Sequence, residues 1–507
     1  MPIDRRHFLG ISAAALTGLA LSPGAEASPQ TSGSSSAGGG TPGASAGIDL
    51  VPLTLSGAAA QILSKKLSPV ELTEASLSRI AALDSKIGAF ITVAAEEARA
   101  AARLAEKEIA QSKYRGPLHG IPVCLKDTNY TRGIRTTAAS PVLKDFVPDF
   151  DATIVRRLKS AGAIIIGKAN LPEFSFGGET PGTHNPWNFS RSPGGSSGGP
   201  AAALAASMVL GASGGDTSGS IRNPAANCGV VGHKPTFGLV SRYGVIPISW
   251  TLDHVGPLAR TVEDCAILLK AMAGYDANDR FSARVAIPDY PQLLKRDVKG
   301  MRMGVPPAAA LEKFHPDAKR TFAEAVKVME GLGMEIREVK LPRSLEVASP
   351  AHTIIRIAEA AAYHRQFLLT RADKYLPDDE SSEAVSRVRT TVEAGSLLTA
   401  AQYLRAQQIR KVFIRELLEM YSTIDAFLTP SMPGPPNEPV NASITFRPEY
   451  NLCGFPACSV PAGFSQSPPG LPLGVLISAK PFDDALVLAI GNAYESATEW
   501  HTKRPEL

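Results

Sequence analysis

Apolar and polar positions along this chain alternate between two periods, and the switches between them predict an α/β arrangement. Ser68-Pro69-Val70-Glu71 sets a capping serine, a proline at the first helical position and a glutamate at the third, so a helix is expected from there to about Leu83. Residues 93–111, rich in Ala, Glu and Arg, read as a second helix. Residues 121–125 (IPVCL) form a short apolar run ending on Lys126-Asp127, as a buried strand would. Asp151 is expected to cap a helix through Lys159, Gly162 to stop it, and residues 163–166 to form the next strand. Strand patterns recur at 301–305 and 334–339, which argues for a sheet covered by helices. Longer helical patterns at 354–373 and 400–421 suit a helical elaboration beside that sheet. Residues 473–478 read as a late strand and 484–500 as a terminal amphipathic helix. With no internal repeat, one large domain over 50–507 is expected.

The pattern fails in one place. Residues 28–47 are almost wholly Ser, Gly, Ala, Thr and Pro, which cannot offset the entropy of ordering, so a flexible linker over 28–49 is expected. Before it, Asp4-Arg5-Arg6-His7-Phe8-Leu9-Gly10 resembles a twin-arginine export address. An apolar run over 11–21 and the small-x-small pattern Ala25-Glu26-Ala27 follow. The run is too short to span a bilayer, so 1–27 reads as a cleaved signal and the mature chain as a soluble periplasmic or secreted protein.

Composition narrows the function. A formal charge of +4 on 507 residues, with no basic stripe interleaved with aromatics, gives no case for nucleic acid. Cys124, Cys228, Cys265, Cys453 and Cys458 are too few and too unpaired for a disulfide framework or a zinc ribbon, and read as buried apolar thiols. No metal-ligand spacing appears, and no cofactor is implied.

Two motifs mislead. Residues 162–169 nearly spell a phosphate-binding loop, but three isoleucines fill its centre and position 169 lacks a hydroxyl. Gly194-Gly195-Ser196-Ser197-Gly198 matches a nucleophile elbow, yet a loop precedes it where an elbow needs a strand. The informative region is wider. Gly194 to Gly199 leads into an Ala-rich segment, then into Gly214-Gly215-Asp216-Thr217-Ser218-Gly219-Ser220-Ile221-Arg222. Glycines so placed let backbone N–H groups approach a ligand, and Ser220 stands where it can attack a carbonyl held by them. No histidine lies in either cluster. A lysine kept neutral by burial can serve as base, and Lys126 ends an apolar strand.

With these residues in view, the sequence resembles the amidase-signature family. The resemblance rests on GPLHGIPVCLKD (116–127), AGAIIIGKANLPEF (161–174), SPGGSSGG (192–199), GGDTSGSIRNPA (214–225), GVVGHKPTFGLVSRYGVIP (229–247), DHVGPLARTVEDCA (253–266), NLCGFPACSVPAGF (451–464) and GLPLGVLI (470–477). It implies a central mixed β-sheet with helices on both faces. It also implies Ser220 as acyl-enzyme nucleophile, Ser196 as a bridging serine associated with a cis peptide, and Lys126 as base. The implied oxyanion hole is the backbone N–H groups of Thr217, Ser218, Gly219 and Ser220. Asp216 and Arg222 are expected to hold the loop, and residues 173–178, including Ser175, to line the pocket mouth. Ser218 departs from the more usual glycine, and His233 stands where leucine is common. The variable stretch, 282–440, is expected to wall the pocket.

The reading is a serine amidohydrolase acting on a small-molecule amide, with anilides, esters and carbamates as further substrates. A glutamine-hydrolysing amidotransferase subunit of the same fold is the alternative, against which the export signal argues. A catalytically silent binding protein is a third reading, against which the intact Lys126, Ser196 and Ser220 argue. The sequence leaves substrate and oligomeric state open.

Overall fold

The computed structural model describes residues 48–377, 387–440, 442 and 445–507. The expected export signal, 1–27, and residues 28–47 of the expected linker lie outside them. Chain order begins with β1 (Phe90–Val93), β2 (Pro122–Lys126), β3 (Ile164–Ala169), β4 (Gly211–Asp216), β5 (Val231–Lys234) and β6 (His254–Ala259). It continues with β7 (Arg302–Val305), β8 (Glu335–Glu338), β9 (Ala426–Pro430), β10 (Ala457–Gln466) and β11 (Pro469–Ser478). These make one mixed sheet in the order β1-β3-β2-β4-β6-β5-β10-β11-β9-β7-β8. β3, β2 and β4 run parallel, as do β9, β7 and β8, and the strands between them are antiparallel.

Side chains alternate across a strand, and here that alternation divides the core. Val123 and Leu125 of β2 enter one apolar cluster, with Ile165 of β3 and Ile267 and Leu268 of the helix Val262–Met272. Cys124 enters a second cluster with Ile164 and Ile166 and the Ala-rich helix Gly198–Ala205. Helices therefore cover both faces. All five cysteines are buried and unpaired.

Local signals explain several boundaries. Ser68 Oγ accepts from the N–H of Val70, and Glu71 reaches back to the Ser68 N–H, so the capping box forms. The helix runs past the expected Leu83 to Ile87, because the left-handed stop is Gly88, at φ 66°. Val93 belongs to β1, and the second helix begins only at Ala95. Asp151 does not cap: the helix Thr153–Ser160 starts after Ala152 without a side-chain cap, and Asp151 instead accepts from the Arg132 N–H and Lys159 Nζ. The helix expected from 354 begins at Leu345, carrying Pro350 in its second turn. The terminal helix stops at Ser496, short of Trp500. Residues 162–169, the false phosphate loop, lead into and form β3.

Candidate active site

Three adjacent parallel strands deliver their carboxyl ends to one place, where open α/β sheets hold ligands. Ser175 follows β3, Lys126 ends β2, and Asp216 ends β4, with residues 217–220 following it. The Ser196 loop enters just before the helix Gly198–Ala205, across a cis Gly195–Ser196 peptide.

Lys126 is 1% exposed, and its Nζ bonds Ser196 Oγ at 2.7 Å. No carboxylate lies within ion-pair range of it among the described residues. Burial lowers its pKa to about 7, against the opposing pull of Asp216 and Asp253. Lys168 and Lys234 are buried as well. Lys168 is paired with Asp127 at 2.9 Å, and Lys234 donates to the Pro235 carbonyl. Lys168 also reaches the Thr136 hydroxyl, but it keeps its carboxylate, whereas the one hydrogen bond of Lys126 Nζ among the described residues goes to a serine hydroxyl.

The Ser196 and Ser220 loops are stitched together by backbone. The Ser197 N–H donates to the Ser220 carbonyl at 3.1 Å. Ser197 Oγ is engaged on both sides with the Gly215 backbone. Ser196 Oγ and Ser220 Oγ are not directly hydrogen-bonded to each other. A Cβ on Gly195 would meet the Glu179 backbone at 2.8 Å, so only glycine lets this loop pass. Glycines 198 and 199 pack just as closely on Thr180 and Asn170; interlocking of elements, rather than ligand approach, accounts for them.

Behind the loop, the Asp216 carboxylate accepts from the N–H of Gly219 (2.7 Å) and Ile221 (3.0 Å), from Arg222 Nε and Nη2 (3.0 Å each), and from Asn451 Nδ2 (2.9 Å). Burial alone would raise this acid; the Arg222 charge and its bonds, with Lys234, hold it far below the usual range. Asp216 and Arg222 thus tether the loop, as expected. The Gly219 N–H, one of the four expected to face a substrate oxygen, is thereby committed to Asp216.

One further residue at this site, His352, carried no recognisable signal in the sequence. His352 Nε2 lies 2.7 Å from the Thr217 carbonyl, so that nitrogen carries the proton, and 3.4 Å from Ser218 Oγ. Burial depresses this imidazole to about 3. Asp253, which opens one of the quoted motifs, accepts from Thr217 Oγ1 at 2.6 Å; burial raises it to about 6. His233 Nε2 lies 3.0 Å from Asp484 Oδ1. A cavity of about 470 Å³ opens over Lys126, Ser175, Gly215, Asp216, Thr217 and Asp253, with Tyr130, Tyr243 and Tyr363 in its wall. Ser220 lies three residues beyond Thr217 and is 7% exposed.

Comparison with known proteins meets this geometry. The Amidase family model matches residues 71–488. The chain belongs to the amidase family. Its sheet with covering helices is the fold of amidase-signature enzymes, and the family's reactions are amide C–N hydrolysis or amide transfer. A glutamyl-tRNA(Gln) amidotransferase subunit of Desulfatibacillum aliphaticivorans is 40% identical over 489 residues, spanning 90% of this chain and 99% of that protein. The corresponding glutamyl-tRNA(Gln) amidotransferase subunit from Thermotoga maritima, solved by crystallography, is 35% identical, with TM-score 0.73, over 89% of this chain and 96% of that one. The native peptide amidase of Stenotrophomonas maltophilia is 30% identical, with TM-score 0.79, over 89% and 98%.

Proposed function

We propose that this protein breaks an amide C–N bond by acyl transfer to Ser220, with Lys126 as base and Ser196 as relay. The observation that carries the reading is the buried Lys126 bonded to a serine hydroxyl rather than to a carboxylate. A lysine brought down to about 7 is substantially neutral at working pH and able to take a proton. As Ser220 Oγ bonds to the carbonyl carbon, its proton passes to Ser196 while the Ser196 proton passes to Lys126. This needs Ser196 Oγ to close on Ser220 Oγ once substrate is bound, a tightening common at catalytic sites. The N–H groups of Thr217, Ser218 and Ser220 would take the oxyanion. Collapse breaks the C–N bond, the amine leaves with the proton returned by the relay, and water hydrolyses the acyl-enzyme.

Two finer readings share this chemistry. The names of the relatives favour the amidotransferase, the alternative reading of the sequence, over a free-standing linear-amide hydrolase. In that case glutamine is the amide, the ammonia passes to an acceptor, and other subunits are partners. The peptide amidase likeness supports the free-standing enzyme. A panel of primary amides including glutamine, peptide amides, anilides and carbamates, run on wild type and Ser220→Ala, tests the shared chemistry. Glutamine as preferred substrate, with turnover raised by added partner subunits, selects the amidotransferase. Efficient hydrolysis of other amides by the chain alone selects the hydrolase.

A further inference from the structure

The helix Leu345–Arg371 presents one face to the nucleophile loop and the cavity. His352 on it bonds the Thr217 carbonyl. Glu359 accepts from Ser249 Oγ, Tyr403 OH and both the N–H and the hydroxyl of Thr251. Tyr363 reaches the cavity wall. Positions 352, 359 and 363 follow the helical repeat along a single face. Arg356 lies on that same face, one turn after His352 and one turn before Glu359.

Arg356 is partly buried, and its guanidinium carbon stands 5.6 Å from the centre of the Phe176 ring, next to Ser175. It forms no ion pair or hydrogen bond among the described residues. Its charged neighbours are already engaged. Arg410, which like Arg356 acts on His352, donates to the Thr251 carbonyl. Asp253 takes Thr217 Oγ1 and the N–H groups of Ile248 and Ser249. A guanidinium never deprotonates at working pH, and one held partly out of water with no directly bonded anion, the Asp253 charge acting on it only from beyond ion-pair range, carries a cost. An aromatic ring at that distance offsets only part of the cost. The missing anion has a source nearby, since His352, one turn back on this row, bonds the nucleophile loop, Tyr363, two turns on, lines the cavity, and Phe176 under the guanidinium adjoins the cavity-lining Ser175.

We infer that Arg356 is a specificity residue that binds a carboxylate of the substrate, so that the preferred amide is an anionic one. This rests on acyl transfer at Ser220 as proposed above. One turn of helix, about 5.4 Å, separates Arg356 from the residue bonded to Thr217, so the carboxylate sits a few bonds from the scissile carbonyl. Planar, forked recognition of this kind is what arginine supplies and lysine does not.

The test reads protection of Ser220 from a neutral fluorophosphonate probe, which needs no turnover. Succinamate, glutaramate and adipamate are each compared with their methyl esters in wild type, Arg356→Gln and Arg356→Lys. In wild type at least one acid should protect at a concentration ~10-fold or more below its ester, the scale of a charge-assisted bond. That ratio should fall to near one in Arg356→Gln and to an intermediate value in Arg356→Lys. Because it is taken within each protein, a general loss of stability does not imitate the effect. Should Arg356→Gln fail to fold, the Arg356→Lys ratio still decides. No preference for any acid in wild type, or a preference that survives both substitutions, overturns the inference. Failure of wild-type Ser220 to react with the probe overturns the acyl-transfer reading itself and takes this inference with it.

Discussion

Lys126 and Lys168 end up on neighbouring strands, both out of water, and differ by one carboxylate. Lys168 faces Asp127, and Lys126 faces Ser196. The apolar run before Lys126 signals burial in the sequence, but a similar run precedes Lys168, and only the fold decides which lysine meets a serine. The neighbouring serines separate in the same way. Ser196 holds Lys126, while Ser197 is tied to the Gly215 backbone. Ser196→Ala is therefore expected to lower kcat at least ~100-fold, the scale of a proton-transfer role. Ser197→Ala should cost much less activity and appear mainly as a lower Tm; equal losses in kcat would contradict the division. Burial of Lys126 also carries a stability cost. Its folded pKa lies below its unfolded value, so the penalty is complete below about 7 and fades as pH rises toward the free-lysine value of ~10.4. Lys126→Met should lose activity yet raise Tm, more at pH ~6 than at pH ~10. A Tm gain independent of pH would show that the lysine is not held neutral.

At the level of elements, the short strand β4 and the loop after it depend on a single carboxylate. Asp216→Asn would leave Arg222 buried without its counter-charge and loosen the Gly219 and Ile221 N–H groups. A loss of ~3–5 kcal/mol in chemical denaturation is expected, with kcat falling more than KM rises. Near-wild-type stability would mean that the tether is dispensable. β2 and β3 are legible in the sequence because each is a continuous apolar run between turn signals. β1 is hidden there because its four residues adjoin an Ala/Glu-rich stretch, and the break falls at Ala94 without a turn residue. β6, with Gly and Pro inside it, shows no strand period and is recognisable only through the family motif it overlaps. The helix bearing His352 and Arg356 lies in the variable stretch, where no motif exists to mark them. Their place becomes visible only when the helix packs beside the nucleophile loop.

For the whole molecule, the apolar alternation and the glycine clusters together carry the sheet with its covering helices. They do not carry the pairing order of the later strands, which is set by contacts far apart in the chain. Export is the expectation the twin arginines set, and on it Arg5→Lys with Arg6→Lys should leave precursor in the cytoplasm, as cell fractionation would show. Unchanged export would remove that assignment and strengthen the amidotransferase reading. Activation of Ser220 by Lys126 is tested most directly by the rate of covalent labelling of Ser220 by a neutral fluorophosphonate as a function of pH. In wild type the rate should be low where Lys126 is ammonium, rise through one ionisation near 7 and level off on the alkaline side. In Lys126→Ala labelling should be slow throughout and lack that ionisation, and Lys126→Arg should not restore it, since guanidinium stays protonated. The same ionisation in wild type and Lys126→Ala, or a label found on a residue other than Ser220, would contradict the account.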